Sequence, residues 1–245
     1  MPLDAARLRL LLPDRSVHYF DTVGTTMREA ARLAEQGCAR GTLVVADEQT
    51  SGQGRHGRAW HSPRSAGIYL SMVLEPHPVL TLALGLSVAE AIAGTCPVEC
   101  DLRWPNDVLI GEKKVAGILV QLQGPAAIAG IGVNVNCRTF PPEIAPLATS
   151  LCLETGRECA REHLIAAIVE SVERWCGILY LIGRRPILEK FASSSTYALG
   201  KRVRVEQESG LLMGTTVGLD ASGFLLVRRD DGSVTTVIAG GVRPA

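Results

Sequence analysis

The stretch Glu48-Gln49-Thr50-Ser51-Gly52-Gln53-Gly54-Arg55-His56-Gly57-Arg58 carries the densest chemical signal in the chain. Its glycines fall in the order G-x-G-x-x-G. At that spacing the backbone can approach a ligand closely with its N–H groups turned toward an anion. Arg55 and Arg58 add guanidinium forks suited to phosphate or carboxylate oxygens. Three nucleotide loops share this glycine pattern, and the flanks argue against each. A dinucleotide-binding loop needs a helix opening at the third glycine, but Arg58-Ala59-Trp60-His61-Ser62-Pro63 has no helical period. A protein-kinase loop would bring H-R-D and D-F-G partners, which the sequence lacks. A Walker A loop fails because the Gly200-Lys201 pair is followed by Arg202. An anion-binding loop of another kind remains, beside the plain alternative of a solvated surface loop.

A second cluster, Arg103-Trp104-Pro105-Asn106-Asp107, sets two polar side chains directly after a Trp-Pro pair. It leads through the turn Gly111-Glu112-Lys113 into Lys114-Val115-Ala116-Gly117-Ile118-Leu119. Only Lys113, Lys114, Lys190 and Lys201 are lysines among the 25 basic residues, so a lysine pair at one hairpin hints that a compact ammonium is wanted there. Two solvated turn lysines are the alternative.

Periodicity predicts the elements that must hold these clusters. A helix is expected over 26–36, with Thr26 and Glu29 as a capping box and Gly37 past its end. Strands are expected over 42–46, 67–74, 102–104, 108–110, 115–122 and 127–135, and helices over 82–93, 161–182 and 187–192. Pro141, Pro142 and Pro146 mark a loop, and Ser193-Ser194-Ser195-Thr196 reads as a linker. Beyond it, short apolar runs punctuated by glycines suggest a small five-stranded barrel. The expected organisation is an α+β domain over 1–195, a mixed sheet with flanking helices, and a β-barrel domain over 196–245 packed against it.

Composition narrows the function classes. Basic and acidic residues number 25 each, so the net charge is zero, which disfavours a nucleic-acid partner. A 47% hydrophobic content excludes a disordered chain. No apolar run is long enough to span a bilayer, so no membrane partner is expected. The start, Met1-Pro2-Leu3-Asp4, lacks a signal-peptide order. Seven cysteines without a C-x-x-C pair point to free thiols in a reducing, cytoplasmic setting. The five histidines show no metal-ligand spacing.

Taken together, the segments resemble the biotin–protein ligases (biotin–acetyl-CoA-carboxylase ligases) over nearly the whole chain. The resemblance rests on Gly24-Thr25-Thr26-Met27 with Glu29-Ala30, the 49–58 loop with Trp60 and Ser62-Pro63, Trp104-Pro105-Asn106-Asp107, the 114–119 run, Gly132-Val133-Asn134, and Gly223 and Gly240 in the tail. It implies a class II synthetase-like catalytic domain with a C-terminal SH3-like barrel. It further implies the monofunctional type, without the N-terminal DNA-binding domain that bifunctional members carry. Such an enzyme joins biotin and ATP into biotinyl-5′-adenylate and pyrophosphate. It then passes biotin to one lysine of the biotin carboxyl carrier domain of acetyl-CoA carboxylase or a related carboxylase. Mg2+ is the implied cofactor, and a monomer or weak homodimer the implied assembly.

The resemblance also implies roles. Lys114 and Arg55 would act where carboxylate and α-phosphate meet, since two anions there need preorganised positive charge. Asp107 would position or deprotonate the acceptor lysine and, with Asn106 beside it, offer a magnesium ligand. Biotin would be held by Thr25, Thr26, Gln49, Gly52, Gln53, Gly54, Arg55, Lys114 and Gly117. ATP would be held by Arg55, Arg58, Trp60, Asn106, Lys114 and Asn134. Thr26 also reads as a helix cap, Trp60 as a core side chain and Asn106 as a turn stabiliser. Met27, Gln53 and His56 depart from the commoner family residues. A lipoate–protein ligase and a non-catalytic biotin-binding regulator are the competing readings. The polar Thr/Gln set suits biotin's ureido ring better than an apolar dithiolane.

Overall fold

The computed structural model describes residues 1–207 and 210–245. From the N-terminus the chain forms α1 (Ala5–Leu11), β1 (Val17–Phe20), α2 (Thr26–Glu35), β2 (Leu43–Ala46), a short 3-10 turn (Arg55–Gly57), β3 (Gly67–Leu74), α3 (Leu80–Thr95) and β4 (Asp101–Arg103). It continues through β5 (Asp107–Ile110), β6 (Lys113–Gln123), β7 (Ala126–Asn134), α4 (Leu151–Thr155), α5 (Arg161–Leu181) and α6 (Arg185–Ser193). The tail holds β8 (Leu199–Gln207), β9 (Gly210–Leu219), β10 (Leu225–Arg228), β11 (Val234–Val237) and β12 (Gly241–Pro244).

Seven strands make a mixed sheet in the order β1-β2-β3-β7-β6-β5-β4, parallel between β1 and β2 and antiparallel elsewhere. Every residue of β2 and β3 is buried, which is why both read as continuous apolar runs rather than alternating ones. The main core unites these strands with the apolar sides of α3 and α5. A smaller core lies under α2, where Met27, Ala30 and Leu33 recur at helical spacing over Val44, Val73 and Ile128.

The start of α2 differs from the expected capping box by one residue. Thr25 is the cap, its Oγ1 accepting from the Met27 N–H at 3.4 Å, and Thr26 is the first helical residue. Glu29 pairs with Arg32 at 3.1 Å instead of reaching back to a cap. The Thr26 hydroxyl is thereby free to point elsewhere.

Two ties secure the ends of the sheet. The wholly buried Asp47, just before the glycine loop, pairs with Arg161 of α5 at 2.8 Å. Arg161 also donates to the carbonyls of Gly67 (3.0 Å) and Met1 (2.5 Å). At the far edge the 193–196 segment is pinned rather than a free linker. Ser195 donates to the Leu102 carbonyl at 2.5 Å, and Thr196 Oγ1 donates to Asp101 at 2.6 Å.

The tail strands form a five-stranded antiparallel sheet in the order β11-β10-β9-β8-β12, and β11 and β12 do not pair among the described residues. This sheet lies against the first: Trp104 Nε1 donates to the Gly223 carbonyl at 2.9 Å. No helix among the described residues is long and apolar enough to cross a membrane.

Candidate functional site

The site is built on β6 and β7, where Gly117 and Gly132 pair directly across the ladder. Side chains would have little room here. A Cβ at Gly132 would sit 2.5 Å from the Trp60 indole, and one at Gly117 would sit 2.7 Å from Lys114 Nζ. Trp60 therefore rests on the strands, with the Lys114 ammonium 5.2 Å from its ring centre.

Two cavities open over this floor. The first, about 450 Å³, is bounded by the start of α2 and the glycine loop, with Thr25, Thr26, Gln49 and Gln53 in its wall. Away from Arg55 and Lys114, its polar groups are neutral and interlocked. Gln49 Oε1 accepts from the Thr26 N–H (2.9 Å) and hydroxyl (3.2 Å), while Gln49 Nε2 donates to Ser62 Oγ at 3.0 Å. Ser62 passes its own hydrogen to the Trp60 carbonyl at 3.0 Å, and Ser71 lies 2.8 Å from Thr26 Oγ1. A network of hydroxyls and one amide suits a neutral group with both donors and acceptors.

The second cavity, about 1130 Å³, is wider and charged. At its centre the Asp107 carboxylate meets three cations. Lys114 Nζ donates to Oδ1 at 2.5 Å, Arg103 Nη2 donates to Oδ2 at 2.7 Å, and Arg243 of β12 stands 3.8 Å from Oδ2. Burial alone would raise this carboxyl, but Lys114 and Arg103 outweigh it and hold Asp107 below the usual carboxylate range. Burial pushes the Arg243 guanidinium down, and Arg103 adds to the effect. Three cations on one carboxylate leave an excess of positive charge, the setting an anion needs.

Gly54, Arg55, Trp60, Asn106 and Lys114 line both cavities and so form their junction. The loop reaches this point as a tight return. Gln53 bridges to Ala59, the Gly54 N–H donates to the Arg58 carbonyl at 2.7 Å, and the Trp60 N–H donates to the Gly52 carbonyl at 2.9 Å. Burial lowers the Arg55 guanidinium while Asp107 opposes the change. Arg55 Nη1 donates to Asn106 Oδ1 at 3.1 Å, and Asn106 Nδ2 donates to the Ile118 carbonyl at 2.9 Å.

Most residues singled out from the sequence lie around the two cavities. Gly52 is set back, packed behind the Trp60 carbonyl and Ser62 instead of in a cavity wall. Lys113 is exposed and apart from the junction. Arg58 is exposed at the rim, 3.8 Å from Glu206. Asn134 lines the second cavity, and its amide donates to the Thr149 carbonyl at 3.0 Å. Asp107 does not fit the expected magnesium ligand. Both its oxygens are engaged by cations. A carboxyl held so low is also a poor proton acceptor.

Sequence reasoning missed Ser71, Arg103 and Arg243. Ser71 had a signal, a small polar residue in the apolar run of β3. Arg103 heads the Trp-Pro cluster, but no role was read for it. Nothing local marks Arg243, because only the packing of the two sheets brings it to Asp107.

Comparisons with known proteins agree with this geometry. Residues 19–137 match the model of the biotin/lipoate A/B protein ligase family, and residues 198–242 match that of the biotin protein ligase C-terminal domain. The chain is 35% identical over 227 residues to the bifunctional ligase/repressor BirA of Bacillus spizizenii, covering 87% of this chain and 70% of that one. It is 34% identical over 223 residues to the biotin–[acetyl-CoA-carboxylase] ligase of Mycobacterium tuberculosis, covering 86% and 81%. Among solved structures, the biotin protein ligase from Aquifex aeolicus, in complex with biotin and ATP, superimposes with a TM-score of 0.85 at 33% identity, covering 94% of this chain and 99% of that one. The glycine floor, the paired cavities and these likenesses over almost the full length lead to one assignment: the chain belongs to the biotin protein ligase family.

Proposed function

We propose that this chain is an ATP-dependent ligase that converts biotin to biotinyl-5′-adenylate and transfers the biotinyl group to a lysine of a biotin carboxyl carrier domain. The observation that carries the reading is the shared wall: a neutral chamber and a cationic one meet at Lys114 and Arg55. The ureido ring would bond to Thr26 and Gln49, which places the valerate carboxylate toward the junction. ATP would lie in the charged cleft with its α-phosphate at the same point. The carboxylate oxygen attacks the α-phosphorus, the bond to the bridging oxygen breaks, and pyrophosphate leaves. Lys114 and Arg55 lower the repulsion between the two anions and stabilise the charge that builds on the phosphorus oxygens. In the second step the neutral acceptor amine attacks the acyl carbon, the acyl–oxygen bond to the phosphate breaks, AMP departs, and the proton shed by nitrogen passes to solvent.

Asp107 serves as a positioning group in this scheme, since it fixes Lys114 by a charge-assisted hydrogen bond. Magnesium would arrive on the nucleotide's phosphates and waters rather than on a prepared protein cage. Closure of the 49–58 loop keeps water from the mixed anhydride. The acceptor would be a carrier domain of acetyl-CoA carboxylase or a related carboxylase. The seven free cysteines accord with a reducing compartment, the cytoplasm.

The test is biotin-dependent pyrophosphate release from the purified chain with ATP and magnesium. A carrier domain is then added and read by avidin blot, with a parallel lipoate arm read by anti-lipoyl blot. Lys114→Ala should lower pyrophosphate release by about 10²–10³-fold, as for loss of one preorganised donor to a developing charge. Biotin binding without pyrophosphate release would make the chain a binding regulator, and labelling with lipoate alone would reassign the substrate. Arg55→Gly should let adenylate escape and label bystander proteins; retained selectivity for the carrier would remove Arg55 from the clamp.

A further inference from the structure

The tip of the glycine loop, residues 53–59, has two side-chain tethers to the rest of the protein among the described residues. One is the Arg58–Glu206 pair, 3.8 Å apart with both side chains 62% exposed, a solvated contact of little strength. The other is the 3.1 Å hydrogen bond from Arg55 Nη1 to Asn106 Oδ1, which is part-buried. Asn106 is well fixed for the task. Its Nδ2 donates to the Ile118 carbonyl at 2.9 Å, and its own carbonyl accepts from the Ile118 N–H at 3.0 Å. Three bonds thus make one rigid link from β6, through the Asn106 amide, to the loop.

We infer that Asn106 is the latch of the loop, a positioning residue that retains the adenylate by holding Arg55 over the junction. The inference rests on the proposed adenylation and assigns Asn106 a duty other than gripping nucleotide or metal. Each end of its amide has a protein partner. Arg55 donates one of its five N–H groups to the latch and keeps the remainder for ligand oxygens. Without Asn106 the guanidinium loses its anchor, and the loop opens while the mixed anhydride is still bound.

The experiment measures a leak fraction: free biotinyl-adenylate recovered in the filtrate, divided by pyrophosphate formed, without acceptor. This ratio corrects for any loss in adenylate formation. Asn106→Ala should raise the leak fraction about tenfold, the scale of one lost hydrogen bond to a charged group. Arg55→Gly should leak at least as much, because it also removes the guanidinium's own bonds to the ligand, and the double variant should leak no more than Arg55→Gly alone. Asn106→Asp keeps an acceptor oxygen for Arg55 but loses the bond to the Ile118 carbonyl, so its ratio should fall between wild type and Asn106→Ala. Glu206→Ala, which cuts the solvated tether, should leave the ratio at wild type. The latch is overturned if Asn106→Ala matches the wild-type ratio while Arg55→Gly leaks, if the effects of the two multiply, or if Asn106→Asp leaks as much as Asn106→Ala. Wild-type protein that makes no biotin-dependent pyrophosphate would overturn the adenylation reading and the latch with it, a result recognisable before any variant is compared.

Discussion

The chamber beneath Thr26 and the cleft around Asp107 share a wall, yet they are made in opposite ways. The first is neutral throughout its inner wall: Thr26 opens α2, Gln49 and Ser62 flank the glycine loop, and Ser71 projects from β3, all joined by hydrogen bonds between uncharged groups. The second gathers Arg103, Asp107, Lys114 and Arg243 from β4, β5, β6 and β12 around one carboxylate. Neutral networks discriminate by matching donors to acceptors and carry little long-range field. A cationic cluster attracts any anion and gains selectivity only through its geometry. Placing the two side by side lets one binding event be selective while the other supplies charge.

The contrast predicts unequal responses to mutation. Asp107→Ala should have the largest effect, because it leaves Arg103 buried and Lys114 half-buried without their carboxylate partner. A loss of about 3–5 kcal/mol in urea-unfolding stability is expected. A loss under about 1 kcal/mol would mean that the cluster behaves as a solvated surface and would erase the distinction. The acid limb gives a second reading. The folded Asp107 carboxyl lies below its unfolded value near 3.9, so its stabilising contribution is complete above that value and is lost as pH falls through the folded one. Asp107→Asn should therefore flatten the decline in stability below about pH 4. An unchanged acid slope would show that the three cations do not favour the charged form.

Thr26→Val probes the neutral side with a smaller effect. The substitution keeps the shape and removes one hydroxyl from the Gln49 network, so KM for biotin should rise about three- to tenfold, the worth of one net hydrogen bond. KM for ATP should stay put. Equal movement of both constants would show that the chambers do not act separately. Arg58→Ala should do least. Its exposed partner Glu206 makes a loss above about 1 kcal/mol in stability unexpected, and urea unfolding checks it.

The same contrast explains what could be read before any coordinates. Strand β3 matched its expected limits because a continuous apolar run with a glycine at its head leaves little choice of register. Thr26 and Gln49 were legible as a pair because each sits beside a strong local signal. The exchange of cap between Thr25 and Thr26 was not, since adjacent hydroxyls offer equivalent chemistry and tertiary packing decides between them. Helices α1 and α4, of seven and five residues, are too short to show a period. Strand β1 escaped notice because its four residues are all only half-buried. The charged cluster was half legible. Lys114 and Asp107 lie in one hairpin, whereas Arg243 belongs to another sheet and joins them through packing that no sequence period encodes.

A crystal structure with biotinyl-5′-adenylate bound would probe the account at its centre. The expected result places the ureido ring against Thr26 and Gln49, with Lys114 Nζ and the Arg55 guanidinium within hydrogen-bonding distance of the acyl-phosphate oxygens. An adenylate whose phosphate lies away from both groups, with the two side chains turned to solvent, would contradict it.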